Sequence, residues 1–331
     1  MIDSESDLRE GRGKKVILLT PRGFCAGVVR AIDVVKIALE LYGPPIYVRR
    51  EIVHNRFVVD ELKRAGAIFV DELTEVPTGA RVIFSAHGVA PAVRLHARER
   101  SLEVIDATCP LVTKVHLEAV KFARKGYTII LIGHRDHDEV IGTLGEAPEA
   151  TILVSTEEDA DMVHVDDPDR VVYHTQKTLS LDETRGIVER LRKRFPAIEA
   201  PPAQDICYAT ENRQTAVKAV APLCQLLLVV GSRNSSNSRR LVEVCAKEGV
   251  PAYLIDYLAE VDPKWLTDVE TVAVTAGASA PENLVQELIA GLSEFGFHRV
   301  EEITIQEEDV RFALPGELAT SSNSLTTIAI A

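Results

Sequence analysis

Three segments of this 331-residue chain repeat one pattern, in which an apolar run leads to a cysteine and then to a helical pattern. The runs at residues 16–19 and 104–105 precede Cys25 and Cys109, and Ile206 precedes Cys207 directly. Apolar residues recur at helical spacing after each cysteine. A strand, then a helix, then a strand predicts parallel sheets with right-handed crossovers. Ligands of such sheets bind beyond the carboxyl ends of the strands, where we place the cysteines.

Polar loops follow the cysteines at matched distances. The first loop of each repeat comes 28 or 29 residues after its cysteine, and its markers are His54, His137 and Ser235. A second loop follows a later strand, and its markers are His87, Thr175 and Ser279. Because each loop comes after an apolar run, we expect all six at the same ends of the sheets as the cysteines.

The repeat predicts an α/β protein of three similar units, each with a small, mostly parallel sheet of about four strands. We place the units at residues 14–108, 109–206 and 207–300, followed by a C-terminal extension at 301–331. A pseudo-threefold arrangement would bring the three cysteines and the six loops to one centre. The alternative is three independent Rossmann-like domains whose cysteines never meet, because matched offsets also arise from any βα repeat.

Charge and hydropathy exclude several classes of protein. With 37 basic and 50 acidic side chains the net charge is −13, which argues against a broad nucleic-acid-binding face. No apolar run approaches the roughly 20 residues that a membrane-spanning helix needs. The acidic start of the chain resembles neither a signal peptide nor a transit peptide. We expect residues 1–13 and 319–331 to be poorly ordered or loosely packed.

The five cysteines are odd in number, widely spaced and without a CxxC pair, so a disulfide scaffold is not expected. Cys224 and Cys245 lie in apolar surroundings and are predicted to be buried hydrophobic side chains. Three thiolates at one centre could hold zinc only with a fourth ligand, which the spacing does not supply. They could instead hold an iron–sulfur cluster. A cubane with three protein ligands leaves one iron open to act as a Lewis acid on a substrate oxygen.

The loops supply one carboxyl acid and many neutral or weakly cationic hydrogen-bond donors. Such donors at helix N-termini suit a phosphate group, so a local site could bind an anion despite the acidic net charge. The candidates are His54, His87, His137, Glu139, Ser235, Ser236, Asn237 and Ser279. A structural or solvated role is expected for His96, His116, His134, His164 and His298.

Eight stretches of the chain resemble one known family. They lie at residues 21–28, 53–55, 85–89, 106–110, 133–140, 205–210, 231–238 and 275–281. Together they are similar to the 4-hydroxy-3-methylbut-2-enyl diphosphate reductases, the LytB-type iron–sulfur enzymes that end the non-mevalonate isoprenoid pathway. The similarity extends from about residue 16 to residue 318.

The resemblance implies a cytoplasmic, oxygen-sensitive enzyme that reduces its allylic diphosphate to isopentenyl and dimethylallyl diphosphate with loss of water. It implies one [4Fe–4S] cluster held by Cys25, Cys109 and Cys207, with the substrate hydroxyl on the open iron. Electrons would come from an external carrier such as ferredoxin or flavodoxin. No nucleic-acid or membrane partner is implied.

The resemblance also assigns roles to residues of the loops. Glu139 would supply the proton for C–O cleavage, and His137 would position it and contact the diphosphate. The other diphosphate ligands would be His54, His87, Ser235, Ser236, Asn237 and Ser279.

Two positions depart from the family pattern. The family usually has Thr-Gln-Thr-Thr where this chain has Thr175, Gln176, Lys177 and Thr178. Either Thr175 or Thr178 takes the role of the missing threonine near the substrate hydroxyl, or Lys177 brings a cation there or turns away. Asp138 replaces a common proline; its charge either raises the pKa of Glu139 or faces solvent.

Two other functions are compatible with a cluster that has an open iron. A hydro-lyase of the aconitase type would turn over without any electron donor. A cluster-based redox or iron sensor would have a partner surface and no affinity for a diphosphate.

Overall fold

Parallel strands alternate with helices throughout the computed structural model, which describes residues 13–202 and 205–318. Apart from Gly13, the two predicted loose termini lie outside the described residues. The strands are β1 (Lys15–Thr20), β2 (Ile46–Arg49), β3 (Ala67–Val70), β4 (Arg81–Phe84), β5 (Glu103–Asp106), β6 (Thr128–Ile132), β7 (Thr151–Val154), β8 (Val171–Thr175), β9 (Leu226–Val230), β10 (Ala252–Ile255), β11 (Thr271–Ala276) and β12 (Arg299–Thr304). The helices are α1 (Ala26–Tyr42), α2 (Arg56–Arg64), α3 (Pro91–Glu99), α4 (Pro110–Arg124), α5 (Asp138–Glu146), α6 (Glu157–Met162), α7 (Leu181–Arg194), α8 (Tyr208–Val220), α9 (Ser236–Lys247) and α10 (Glu282–Glu294).

The strands form three small sheets, and their neighbouring strands are parallel. The strand orders are β10-β9-β11-β1-β12, β3-β2-β4-β5 and β7-β6-β8. The predicted α/β class with small parallel sheets is therefore confirmed. The domain boundaries, and the arrangement of the units around one centre, stay predictions.

Strand β1 begins the first repeat but lies between β11 and β12 in the five-stranded sheet. Its residues 16–19 are all buried, as expected of a central strand with both faces covered. Strand β12, which the repeat did not predict, pairs with β1 and extends past residue 300. All its side chains are exposed or partly exposed. This fits a strand at the edge of the sheet, whose faces are not both covered and therefore need not be apolar.

The expected strand before Cys207 is absent from the described residues around it, and this prediction was wrong. Residues 205–206 form a bend instead. Pro201 and Pro202 lie just before it and cannot donate backbone hydrogen bonds to a neighbouring strand. The chain touches the sheet further back, where Glu199 forms an isolated parallel bridge with Val172 of β8.

Contacts within the chain divide it into two compact units. Unit I comprises the described part of Met1–Cys25 together with His54–Arg56 and Tyr208–Asp309. It contains the five-stranded sheet, and its core packs β1, β9 and β11 against α8 and α9.

Unit II comprises Ala26–Val53, Phe57–Cys207 and the described residues from Val310 on. It contains the other two sheets, each with its own apolar core. The predicted helices after Cys25, Cys109 and Cys207 are present as α1, α4 and α8. No helix of the described ranges is long and apolar enough to cross a membrane.

Candidate functional site

In unit I, the loop after β9 places hydroxyl and amide groups at the start of α9. Ser235 caps the helix, and its Oγ accepts hydrogen bonds from the Ser238 N–H (3.3 Å) and hydroxyl (3.0 Å). Asn237 is buried in the first turn, where its Oδ1 accepts from the Ala278 N–H at 2.9 Å. The loops after β9 and β11 are thereby joined, and the predicted residues Ser235, Ser236 and Asn237 lie in one helix turn.

Ser279 connects these loops to the first repeat. Its hydroxyl donates to the carbonyl of His54 at 2.9 Å and lies 3.5 Å from the Ser235 Oγ. Gly277 permits the close packing, because a Cβ there would collide with Ser238. Within unit I the hydroxyls of Ser235 and Ser279 and the backbone carbonyl of His54 therefore form one hydrogen-bonded group, and Asn237 binds the backbone of Ala278 beside it.

The cysteines of the repeat share one local setting. Cys109 is the N-cap residue of α4, and Cys25 and Cys207 directly precede α1 and α8. All three are half-buried thiols. A helix N-terminus favours negative charge, and the thiolate is the form of cysteine that binds metal. This donor set fits an iron–sulfur cluster better than a buried structural role.

Of the other two cysteines, Cys245 is buried, as predicted, whereas Cys224 is half-buried. Burial raises the pKa of Cys224 to about 11 and that of Cys245 to about 12. Both pack in the apolar core of unit I. At neutral pH they are therefore protonated thiols that act as small hydrophobic side chains.

In unit II, Glu139 begins helix α5 just after the loop that follows β6. His137 is the N-cap residue, and its Nδ1 accepts from the Glu139 N–H at 3.2 Å. The ring proton of neutral His137 is thus on Nε2. The ring of His87 lies edge-on to that of His137, with centroids 6.0 Å apart, and its Nδ1 is 3.3 Å from the Ser85 hydroxyl. The structure therefore brings His87, His137 and Glu139 into one region.

The carboxyl group of Glu139 is only 5% exposed, and this burial raises its pKa to about 7. The charge of Lys177 and its backbone N–H, which donates to Glu139 at 2.8 Å, lower the pKa. Asp205 adds to the rise. A carboxylic acid with this pKa holds and releases a proton near neutral pH, as a general acid must.

Lys177 brings its positive charge into the buried part of the site. Its ammonium lies 3.8 Å from the Asp205 carboxylate, and neither side chain is appreciably exposed. Its carbonyl accepts from the Cys207 N–H at 3.4 Å, so one residue connects Glu139 to a predicted cluster ligand. Lys177 does not turn away from the site.

The rest of that loop has structural bonds. Gln176 accepts from the His134 N–H at 3.0 Å and donates to the Thr178 hydroxyl at 2.9 Å. Thr175 is buried, and its hydroxyl has no hydrogen-bond partner in the described part of the chain. Of the two threonines, Thr175 is therefore the better placed to meet a ligand.

Sequence reasoning missed His174 and Asp205. Both are fully buried, and Asp205 accepts from His174 Nδ1 at 2.8 Å and from the Thr175 N–H at 3.1 Å. Asp106 plays a similar part before Cys109, where it accepts from the Thr108 N–H at 3.0 Å. An acidic residue lies two or three positions before two of the three cysteines. This spacing could have predicted that a carboxylate binds backbone N–H groups beside each of these cysteines.

Carboxylates and an imidazole also meet in this part of unit II. Atoms of Glu118, His174 and Asp205 lie within 4.8 Å of one another. The ammonium groups of Lys114 and Lys177 are 4.0 and 3.8 Å from Asp205. Because these two cations already balance the carboxylates, we interpret the group as a charged hydrogen-bond network and not as a metal site.

Asp138 does neither of the two things expected of it. Its side chain is mostly buried and forms an ion pair with Arg50, so it does not face solvent. The raised pKa of Glu139 comes first from burial, and Asp138 is not among its causes. The pair instead fastens the start of α5 to the loop after β2.

His116 has the structural role that was expected. It is buried, its Nδ1 lies 3.0 Å from Glu146, and it fills the space beside Gly88 and Gly142. Burial and the charge of Arg94 lower its pKa to about 4, so the ring is neutral at pH 7. Its packing holds α5 against the loop that carries His87.

Comparison with known proteins gives consistent results. A family described as LytB protein matches residues 16–293. A protein of Mycolicibacterium paratuberculosis named 4-hydroxy-3-methylbut-2-enyl diphosphate reductase is 59% identical over 306 residues, which are 92% of each chain. A reductase of the same name, numbered 1, from Mycobacterium bovis is 56% identical over 96% of this chain and 95% of its own. The solved E-1-hydroxy-2-methyl-but-2-enyl-4-diphosphate reductase of Plasmodium falciparum superposes with a TM-score of 0.92 at 41% identity, covering 95% of this chain and 99% of its own.

Proposed function

The chain belongs to the LytB protein family, and we propose from this premise that it reduces 4-hydroxy-3-methylbut-2-enyl diphosphate to isopentenyl and dimethylallyl diphosphate. The reaction consumes two electrons and two protons. It breaks the allylic C–O bond, forms one C–H bond and releases water. Relatives at 56–59% identity over more than nine-tenths of the chain carry the name of this reductase.

The observation that carries the proposal is the buried acid at the start of α5. A reductive dehydroxylation needs a proton at the departing oxygen, because hydroxide is a poor leaving group. Glu139 is buried, its pKa is raised to about 7, and its carboxylate accepts a hydrogen bond from Lys177. At neutral pH a substantial fraction of Glu139 is protonated, so it can give a proton to the hydroxyl and later regain one.

The diphosphate is assigned to the hydroxyl, amide and imidazole groups of the loops. Helix α9 begins with Ser236 and Asn237 after the N-cap Ser235, and the backbone N–H groups and hydroxyls at such a helix start suit phosphate oxygens. Ser279 belongs to the same hydrogen-bonded group. The imidazoles of His54, His87 and His137 add N–H donors. Their hydrogen bonds to phosphate oxygens would be stronger with the rings protonated. These assignments follow the family resemblance.

Cys25, Cys109 and Cys207 are proposed to hold one [4Fe–4S] cluster. They lie at the starts of α1, α4 and α8, where a helix N-terminus suits a negatively charged ligand, whereas Cys224 and Cys245 pack in the apolar core of unit I. When bound, the cluster would supply electrons and a Lewis-acidic iron. Asp205 and Lys177 would then hold the Cys207 segment in place beside Glu139.

An anaerobic assay with the hydroxylated C5 diphosphate and dithionite-reduced methyl viologen tests the function. We expect formation of both isomeric diphosphates, oxidation of two viologen radicals per product, and about four irons and four sulfides per chain. Turnover without a reductant would instead indicate a hydro-lyase. A cluster without affinity for the diphosphate would indicate a sensor, and zinc in place of iron would contradict the cluster assignment.

A further inference from the structure

Helix α4 has a local positive charge that contrasts with the acidic chain. Residues 110–125 contain four lysine or arginine side chains and one carboxylate, whereas the net charge of the whole chain is −13. Lys121 is exposed. Lys114 is partly exposed and pairs with Glu118 at 3.6 Å. This helix face therefore offers a positive surface to a partner.

A groove runs along this helix from Pro110 to Lys121. It encloses about 550 Å³, and its lining includes Leu117, the cations Arg30, Lys114 and Lys121, and the carboxylate of Glu118, which pairs with Lys114. Leu117 is 66% exposed, which is high for a large apolar side chain. An apolar contact point bordered by cations is the arrangement expected of a surface that binds an acidic protein.

The groove reaches the backbone on both sides of Cys109. Thr108 and Pro110, which flank the cysteine in sequence, both line it. At its floor the buried guanidinium of Arg30 donates to the Thr108 carbonyl at 3.0 Å and to the Ala313 carbonyl at 2.6 Å.

We propose that this groove docks a small acidic one-electron carrier protein, with Leu117 as the apolar contact and Lys121 as the steering charge. The proposal rests on the proposed function, in which Cys109 is a cluster ligand. Each reduced carrier loses one electron here, and two carriers in succession supply the two electrons of the reaction. Together with two protons these electrons replace the C–O bond of the substrate by a C–H bond and release water.

The test compares charge reversals on two exposed lysines of unit II. Lys121→Glu changes the groove, and Lys193→Glu on α7 is the matched control. The probe is an acidic plant-type ferredoxin kept reduced by NADPH and ferredoxin–NADP reductase, with cluster-loaded enzyme. For Lys121→Glu we expect a roughly tenfold higher KM for ferredoxin, because steering charges act on association. The rate with ferredoxin should also fall relative to the rate with methyl viologen. Lys193→Glu should match the wild type.

Binding gives a second, activity-independent measurement. Titration calorimetry should show that ferredoxin binds the wild type more weakly at high salt, and that Lys121→Glu loses both affinity and salt dependence. Leu117→Asp should weaken binding as well, and its cluster absorbance verifies that the fold is retained. Equal ferredoxin affinities for Lys121→Glu and Lys193→Glu would overturn the proposal, as would a groove that binds inorganic pyrophosphate instead. If the wild type does not reduce the diphosphate even with methyl viologen, the proposed function itself is contradicted, because that assay does not depend on the docking site.

Discussion

The loops of unit I and unit II follow the same strand–loop–helix plan but differ in charge. In unit I the groups at the start of α9 and after β11 are the neutral side chains of Ser235, Asn237 and Ser279. In unit II the corresponding region holds Glu139 and, beside it, the buried ions Lys177 and Asp205. One scaffold therefore presents a set of neutral donors in one place and a titratable network in another.

The difference shows how one fold can separate binding from proton transfer. Neutral hydroxyl and amide donors bind a diphosphate without changing protonation between pH 5 and 9. A proton donor must do the opposite, and a buried carboxyl with a pKa moved toward 7 can do so in this pH range. We therefore expect changes at Glu139 to affect the chemical step and its pH dependence, and changes at Ser235, Asn237 or Ser279 to affect substrate affinity.

The largest effect is expected from Glu139→Gln, which removes the proton but keeps an acceptor for the Lys177 N–H. The turnover number should fall about 10²–10⁴-fold, the usual cost of losing a general acid. The cluster spectrum should be unchanged. Glu149→Gln, an exposed carboxyl just after the same helix, is the control and should behave as the wild type. Full turnover of Glu139→Gln would exclude Glu139 as the proton source.

A smaller effect is expected from Ser279→Ala in unit I. A hydrogen bond to a charged group contributes about 1.5–3 kcal/mol, so affinity for the diphosphate should fall roughly 10- to 100-fold. The pH profile should keep its wild-type shape, because no titratable group is removed. Ser293→Ala on α10 serves as the control for the loss of an exposed hydroxyl. A change of the turnover number without a change of KM would contradict the separation of roles.

The sequence predicted the helices and the positions of the cysteines at their starts, but not the buried pair of Asp205 and His174. Helix periodicity around Val112, Val115 and Phe122 predicted α4, because one face of that helix is buried. The positions of the three cysteines at helix starts followed from the repeat. Asp205 and His174 were missed because their partnership joins residues 31 positions apart, and no periodic pattern marks such a contact. The place of β1 beside β11 was missed because strand order depends on packing between distant segments.

The pH dependence of turnover distinguishes the two regions further. As a proton donor Glu139 must be protonated, and its pKa is about 7. The rate should therefore be level below pH 6 and fall about tenfold for each pH unit well above 7. Ser279→Ala should show the same decline as the wild type, and Glu139→Gln should lose it. The measurement is the turnover number at saturating substrate between pH 5.5 and 9 with a chemical reductant.

Stability should respond to the same carboxyl group. Because the folded pKa of Glu139 is raised above its ordinary value, the folded state binds more protons than the unfolded state between about pH 4.5 and 7. Glu139 therefore costs stability as pH rises through this range. Urea unfolding at pH 8 should show Glu139→Gln to be more stable than the wild type by a few kcal/mol, and the difference should vanish at pH 4. Greater stability of the wild type at pH 8 would mean that Lys177 and its backbone N–H stabilise the ionised carboxylate by more than burial destabilises it.

The smallest effect is expected from replacing a core cysteine of unit I, because burial keeps its thiol protonated. Cys224 and Cys245 have pKa values raised to about 11 and 12, so neither supplies a thiolate at neutral pH. Cys224→Ser should leave iron content and turnover unchanged and cost on the order of 1 kcal/mol of stability, because a half-buried thiol is replaced by a more polar group. Cys109→Ser is the matched variant at a helix start and should lose most of its iron. The comparison fails if Cys224→Ser loses iron, since a core thiol of unit I would then be a cluster ligand.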